Sequence, residues 1–284
     1  MTYASLKGGF IVSKKGFFFS KFLGSQKNNN QQQEVTWYSL SDEIDQLCQT
    51  ILFGIKIDSH DAQQVLAASL YIKILSTFQA VLLLVEREMV QESKTLLRSM
   101  MEAMFALAAM SKDPKIATRF IEDDHTQRLK LSIAYDDLPY KLKKSLKPRL
   151  AKILNSSLNG LVKPADKTHD ITPLTTEQLA KIAGLEEVYY SIFALLPGCN
   201  YLRAYELEQY WNGHTSKKSL LGLIHPDVSK SDAVLFTAIK TIFLSLNGMI
   251  NTFHINVPKE QIRLIQQFRK LTRASKNKPG KPTR

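Results

Sequence analysis

From residue 35 onward the apolar residues recur at three- and four-residue spacings rather than in alternation, the pattern of helices that bury one face. Residues 38–53, 61–89 and 91–110 each sustain it over lengths too great for strands, and no convincing alternating strand occurs. Punctuation divides the rest. Asp113 before Pro114 supplies a cap and a proline in the first helical position, starting a helix that runs to about Tyr135. Asp137 and Pro139 repeat the device ahead of residues 140–158, where Pro148 is expected to kink or split the helix. Thr175 with Gln178 makes a capping box for a short helix ending at Gly184, and residues 185–196 form another that Pro197 and Gly198 terminate. Ser231–Phe253 reads as a long apolar helix and residues 258–273 as an amphipathic one. The expected fold is all-α, a multi-helix bundle with a long central helical hairpin.

The run SQKNNNQQQE at residues 25–34 lacks the apolar side chains needed to pack and links an N-terminal arm to the body. The expected organisation is a flexible basic and polar arm over 1–34, one helical domain over 35–273, and a basic disordered tail over 274–284. Composition agrees, since 44% hydrophobic residues in 284 suffice for a sizeable core. The net charge of +12 is unevenly placed: residues 1–34 carry +4 and 259–284 carry +8, so the stretch between is neutral overall. Basic ends attract phosphate or an anionic membrane surface nonspecifically, and the folded body need not.

Cys48 and Cys199 lack a CxxC or Cys/His spacing, which argues against a disulfide framework or a structural zinc site. No cofactor or metal is expected. The N-terminus has no uninterrupted apolar region before a cleavage site, so a signal peptide is not expected and the chain reads as cytoplasmic. Residues 65–85 are long enough to span a bilayer, but Lys73 interrupts them and equally apolar helices stand ready to pack, so a core helix is expected rather than a membrane span.

Between Leu96 and Met110 the only charged residues are Arg98 and Glu102, four apart on one face of an otherwise apolar helix. Arg before Glu is the weaker order for an isolated helix, so local helix support explains them poorly. Two readings compete: a partly buried structural pair, and a cleft that holds a polar ligand or a nucleic-acid backbone. A structural pair needs a further partner for the guanidinium, and Asp123, Asp124 or Arg128 would lie close in a hairpin joined at residues 111–113.

The run AVLLLVEREMVQESKTLLRSMMEAMFALAAMSKDPKIATRFIEDDHTQRLKL resembles the helical hairpin of the DUF5677 family of uncharacterised bacterial proteins. Arg98 and Glu102 match that family's Arg-x-x-x-Glu, Lys112 to Pro114 its turn, and Asp124 its later acidic position. TTEQLAKIAGLEEVYYSIFALLPGCNYL resembles its Tyr-containing segment, giving a likeness over about 65–250. The family closes that segment with Ser and His, whereas Pro197 to Tyr201 stand here. The resemblance implies a helical fold and a microbial mobile-element or antiviral setting, with no assigned reaction.

Arg119 and His125 have a spacing similar to the Arg-x4-6-His motif of HEPN ribonucleases, where Arg orients the scissile phosphate and His transfers a proton. The bland reading is exposed helix residues, with Arg119–Asp123 and Asp124–Arg128 as solvated pairs. Glu122, Asp123, Asp124 and His125 point in different directions from one helix, a poor metal set. His214, His225 and Asp227 flank a loop without ligand spacing. Lys141, Lys143, Lys144, Lys147, Arg149 and Lys152 form a basic run that suits phosphates, with Tyr140, Tyr201, Tyr205, Tyr210 and Trp211 available for stacking. No P-loop, GxGxxG, GxSxG or HExxH occurs. The first expectation is therefore an interaction or regulatory protein that binds a protein partner or itself as a homo-oligomer, within a microbial antiviral defence system. The alternatives are a HEPN-like metal-independent ribonuclease and a nonspecific nucleic-acid binder acting through the basic segments.

Overall fold

The computed structural model describes residues 4–5, 11–12, 36–154, 173–196 and 231–276. The fold is all-α. A two-residue antiparallel pairing of Ala4–Ser5 with Ile11–Val12 is the only β structure among the described residues, and it falls in the N-terminal arm. The helices are α1 (Trp37–Gly54), α2 (Ala62–Glu86), α3 (Val90–Lys112), α4 (Lys115–Asp136), α5 (Tyr140–Leu154), α6 (Thr176–Ala183), α7 (Glu186–Ser191), α8 (Ser231–Phe253) and α9 (Lys259–Lys276).

Helix α3 is the centre. It packs against α2, α8 and α6, and every residue from Ala103 to Met110 is buried. Burial on nearly all sides explains why that stretch carries no polar side chain. Helix α8 crosses α3 closely: a Cβ on Gly248 would sit 3.1 Å from Leu107 Cγ, so glycine eases an approach that any larger residue could share only if the Leu107 side chain gave way. The buried hydroxyls of Thr237, Thr241 and Ser245 each donate 2.8 Å bonds to the carbonyl four residues earlier, which satisfies polar atoms inside the core from their own helix. On the other side of α8, Phe236 and Phe268 stack at 5.2 Å while Trp37 meets both edge-on, joining α1, α8 and α9.

Helices α2 and α8 are long and apolar enough to cross a membrane by length and composition, with mean hydropathy of 1.8 and 1.7. In the fold they lie against each other and against α3.

Local signals account for most boundaries. Thr36 and Ser39 cap α1 reciprocally, Asp61 caps α2 by accepting from Gln64 N, and Thr175 and Gln178 form the expected capping box of α6. Gly184 closes α6 in the left-handed region at φ 65°. Three expectations change. Pro114 is itself the cap residue of α4, and Asp113 instead accepts from Lys115 N at 3.0 Å. Pro148 is accommodated within the single helix α5 and does not split it. The helix expected over 185–196 breaks at Ile192 into α7 and a 3₁₀ turn, Phe193–Leu195. The expected elements between 197 and 230, with Tyr201, Tyr205, Tyr210, Trp211, His214, His225 and Asp227, lie outside the described residues, as does the loop from 159 to 172.

Only the first turns of α4 enter the core, through Ile116, Ala117 and Ile121. Beyond Ile121 no described side chain of α4 or α5 is buried. The two helices are tied to each other by the Tyr135 hydroxyl, which donates to Lys143 O at 2.6 Å, and by Lys143 Nζ, which donates to Asp136 O.

Candidate functional site

Arg98 projects from the middle of α3 toward the segment after α6. Its Nη1 donates to the carbonyls of Phe193 at 3.1 Å and Leu196 at 3.0 Å, and its guanidinium carbon stands 4.0 Å over the Phe193 ring. Phe193 O also accepts from Leu196 N at 3.1 Å, so the guanidinium adds a second bond there and takes the Leu196 carbonyl at the end of the turn, where it serves as a cap. Phe193 is buried, edge-on to Phe105 at 5.6 Å and tilted on Tyr189 at 5.2 Å. Glu102 Oε1 lies 3.4 Å from Arg98 Nε, but its side chain is 43% exposed against 23% for Arg98. The arginine is shielded and the glutamate is half in solvent.

The partners of Arg98 are thus not those expected on the following helix. Helix α4 leaves α3 after its opening turns, and Asp124 pairs at 2.5 Å with Arg128 on its own helix. One carboxylate oxygen of Asp123 is buried with no hydrogen-bond partner among the described residues. Replacing Arg98 by Met should cost about 1.5–3 kcal/mol in urea unfolding, since it removes two bonds from a charged donor and leaves Phe193 O with only the Leu196 N–H, whereas Glu102→Gln should stay within about 0.5 kcal/mol. Equal losses for the two variants would show that the exposed ion pair, rather than the cap, carries the interaction.

Arg119 and His125 are both half-buried on α4, six positions apart on one continuous helix. At about 100° per residue they face directions roughly 120° apart, about 9 Å along the axis. Among the described residues no three His, Cys, Asp or Glu side chains gather as a metal site. A cleft of about 420 Å³ lies between the ends of α1 and α8, lined by Ile51, Lys56, Phe253 and His254 among others, and holds none of the residues singled out in the sequence.

A buried polar cluster went unread in the sequence. Asp45 of α1 is 5% exposed and accepts from Gln79 Nε2 of α2 at 3.1 and 3.2 Å and from Gln49 Nε2 at 2.7 Å. Burial raises its carboxyl to about 6, against the pull of the two amides. One turn on, the Cys48 thiol is fully buried and pushed up to about 12 by the same loss of solvent. The buried Tyr71 hydroxyl beside it has no geometrically sound hydrogen bond. The available signal was spacing: Ser41, Asp45 and Cys48 flank the apolar stripe Leu40, Ile44, Leu47 and Ile51, which places an acid at the edge of a buried face.

The last grouping is the α4–α5 hairpin. Helix α5 carries Lys141, Lys143, Lys144, Lys147, Arg149 and Lys152 and no acid. Of these, Lys141, Lys144, Lys147 and Arg149 are exposed and Lys143 is half-buried. Apolar side chains stand out beside them: Tyr140 is 78% exposed, Ile133 66%, Leu142 50% and Leu131 46%.

Residues 64–199 match the model of DUF5677, a family of unknown function. The chain is DUF5677-like over this stretch. The match takes in α2 to α7 and therefore Arg98, its carbonyl partners and the hairpin, and it stops short of α8, earlier than the expected limit near 250. No curated protein and no solved structure matches significantly.

Proposed function

We propose that this DUF5677-like chain is a helical docking protein that works by seating a macromolecular partner on the α4–α5 hairpin. One observation carries the reading. Tyr140 and Leu142 stand exposed within a helix whose charges are all positive, on an element of which no described side chain beyond Ile121 is buried. Exposed apolar clusters rimmed by charge mark interaction surfaces, because a surface without such a task is better covered by polar residues. The Arg98 cap and the α3 core supply a rigid body from which the hairpin extends.

The test compares the full chain with a quadruple variant, Leu131→Ser, Ile133→Ser, Tyr140→Ser and Leu142→Ser. All four positions are exposed, so melting temperature and helical circular dichroism should be preserved. Each protein is incubated with the membrane, nucleic-acid and soluble-protein fractions of a cell extract. At least one fraction should retain the parent about tenfold more strongly than the variant, the equivalent of about 1.4 kcal/mol. Equal retention by all three fractions would dispose of the docking role.

A further inference from the structure

We infer that the surface held by the hairpin is an anionic lipid membrane, with α5 lying in the interface; this rests on the docking reading above. The argument starts from the distribution of residues around α5. At helical spacing Leu142 and Leu146 share one side, Arg149 borders it, and Lys141, Lys144 and Lys147 point elsewhere around the helix. Leu142 is exposed and Leu146 is half-buried, so the start of the apolar side is open to a neighbour, and the exposed Tyr140 stands at the first position of the helix, roughly 160° around from Leu142. Polynucleotide phosphates would use the lysines and leave the leucines in water. A bilayer surface carrying anionic headgroups uses both: apolar side chains enter the boundary of the acyl region, the tyrosine ring sits at headgroup level, and lysine stems reach outward to the phosphates. Charge complementarity selects the lipid, since a helix with six cations and no acid partitions to an anionic surface with roughly fivefold gain per cation near it.

The experiment is flotation of the full chain with vesicles of phosphatidylcholine alone and of phosphatidylcholine with phosphatidylserine. The chain should float with the mixed vesicles and not with the neutral ones, and raised salt should weaken the binding by screening. Two variants separate the hairpin from the basic tail. Tyr140→Ser with Leu142→Ser, and Lys144→Glu with Lys147→Glu, should each reduce binding by about tenfold or more while leaving the melting temperature unchanged. A third, Leu142→Trp, should show a blue shift in its added emission when mixed vesicles are present. Failure to float, or binding that both double variants retain, overturns the inference. So does hairpin-dependent binding to single-stranded DNA or to polyglutamate without binding to vesicles, and that last result leaves the docking role itself standing.

Discussion

Phe193→Ala should lower stability by about 3–5 kcal/mol, the largest effect expected of any single truncation near Arg98. The ring is 1% exposed and is held on three sides, by Phe105, by Tyr189 and by the guanidinium of Arg98. Truncation leaves a ring-sized void beneath α3 and also removes the aromatic face under the cation. Relaxation around the void is limited, because Phe105 belongs to the helix at the middle of the bundle and is itself fully buried. In urea the midpoint should fall with the slope unchanged, since the surface exposed on unfolding is nearly the same. Phe193→Leu should cost less, about 1–2 kcal/mol, because most of the volume is kept. Combining Phe193→Ala with Arg98→Met should give less than the sum of the two, as the residues are in contact. A loss below about 1 kcal/mol for Phe193→Ala would mean that residues 186–196 are not part of the cooperative core.

Asp45→Asn should stabilise the chain at neutral pH and flatten its pH dependence. The folded carboxyl titrates near 6, whereas an exposed aspartate in the unfolded chain titrates near 3.9. Between about pH 4 and pH 6 the folded state therefore keeps a proton that the unfolded state has lost. Stability from this group is complete below pH 4, declines as pH rises through 6, and is absent above about pH 7, where a charged carboxylate is held in the core. The difference amounts to about 2–3 kcal/mol. Asparagine has the same shape and no charge, and rotation of the Gln49 and Gln79 amides can supply both donor and acceptor to it. The melting temperature of Asp45→Asn relative to the parent should be near zero or negative at pH 4 and positive at pH 7.5. A difference that does not vary across that range would mean that Asp45 is not the group whose proton is retained.

The elements themselves were legible because their causes are local. Apolar spacing along 91–110 demands a helix buried on most sides, and the boundaries at Thr175 and Gly184 follow from hydrogen bonds and backbone freedom within a few residues. Arg98 and Glu102 stood out because two charges interrupted a long apolar run. Their partners were not legible. The route of α4 away from α3 depends on how its first turns pack, and the carbonyls that Arg98 takes lie 95 and 98 residues further along the chain. Backbone acceptors carry no sequence signature, so no reading of side chains could have nominated them. The break at Ile192 was hidden for the same reason, because residues 185–196 have helical composition and the turn there is the one whose carbonyls Arg98 takes.

The basic run of α5 was evident as a list of lysines, but whether its apolar residues faced a core or solvent was not. Amphipathic spacing specifies that a helix has an apolar side and says nothing of what covers it. Sequence alone determined an all-α chain, the capping box and glycine stop of α6, the core helix and the place of the charge, since each follows from interactions within a turn or two. Tertiary structure alone decided that Asp45 is enclosed, that Arg98 caps a distant turn, and that no described side chain of the hairpin beyond Ile121 is buried. Those outcomes depend on long-range packing, where the same amphipathic pattern is compatible with several neighbours and only the filled volume of the core selects one.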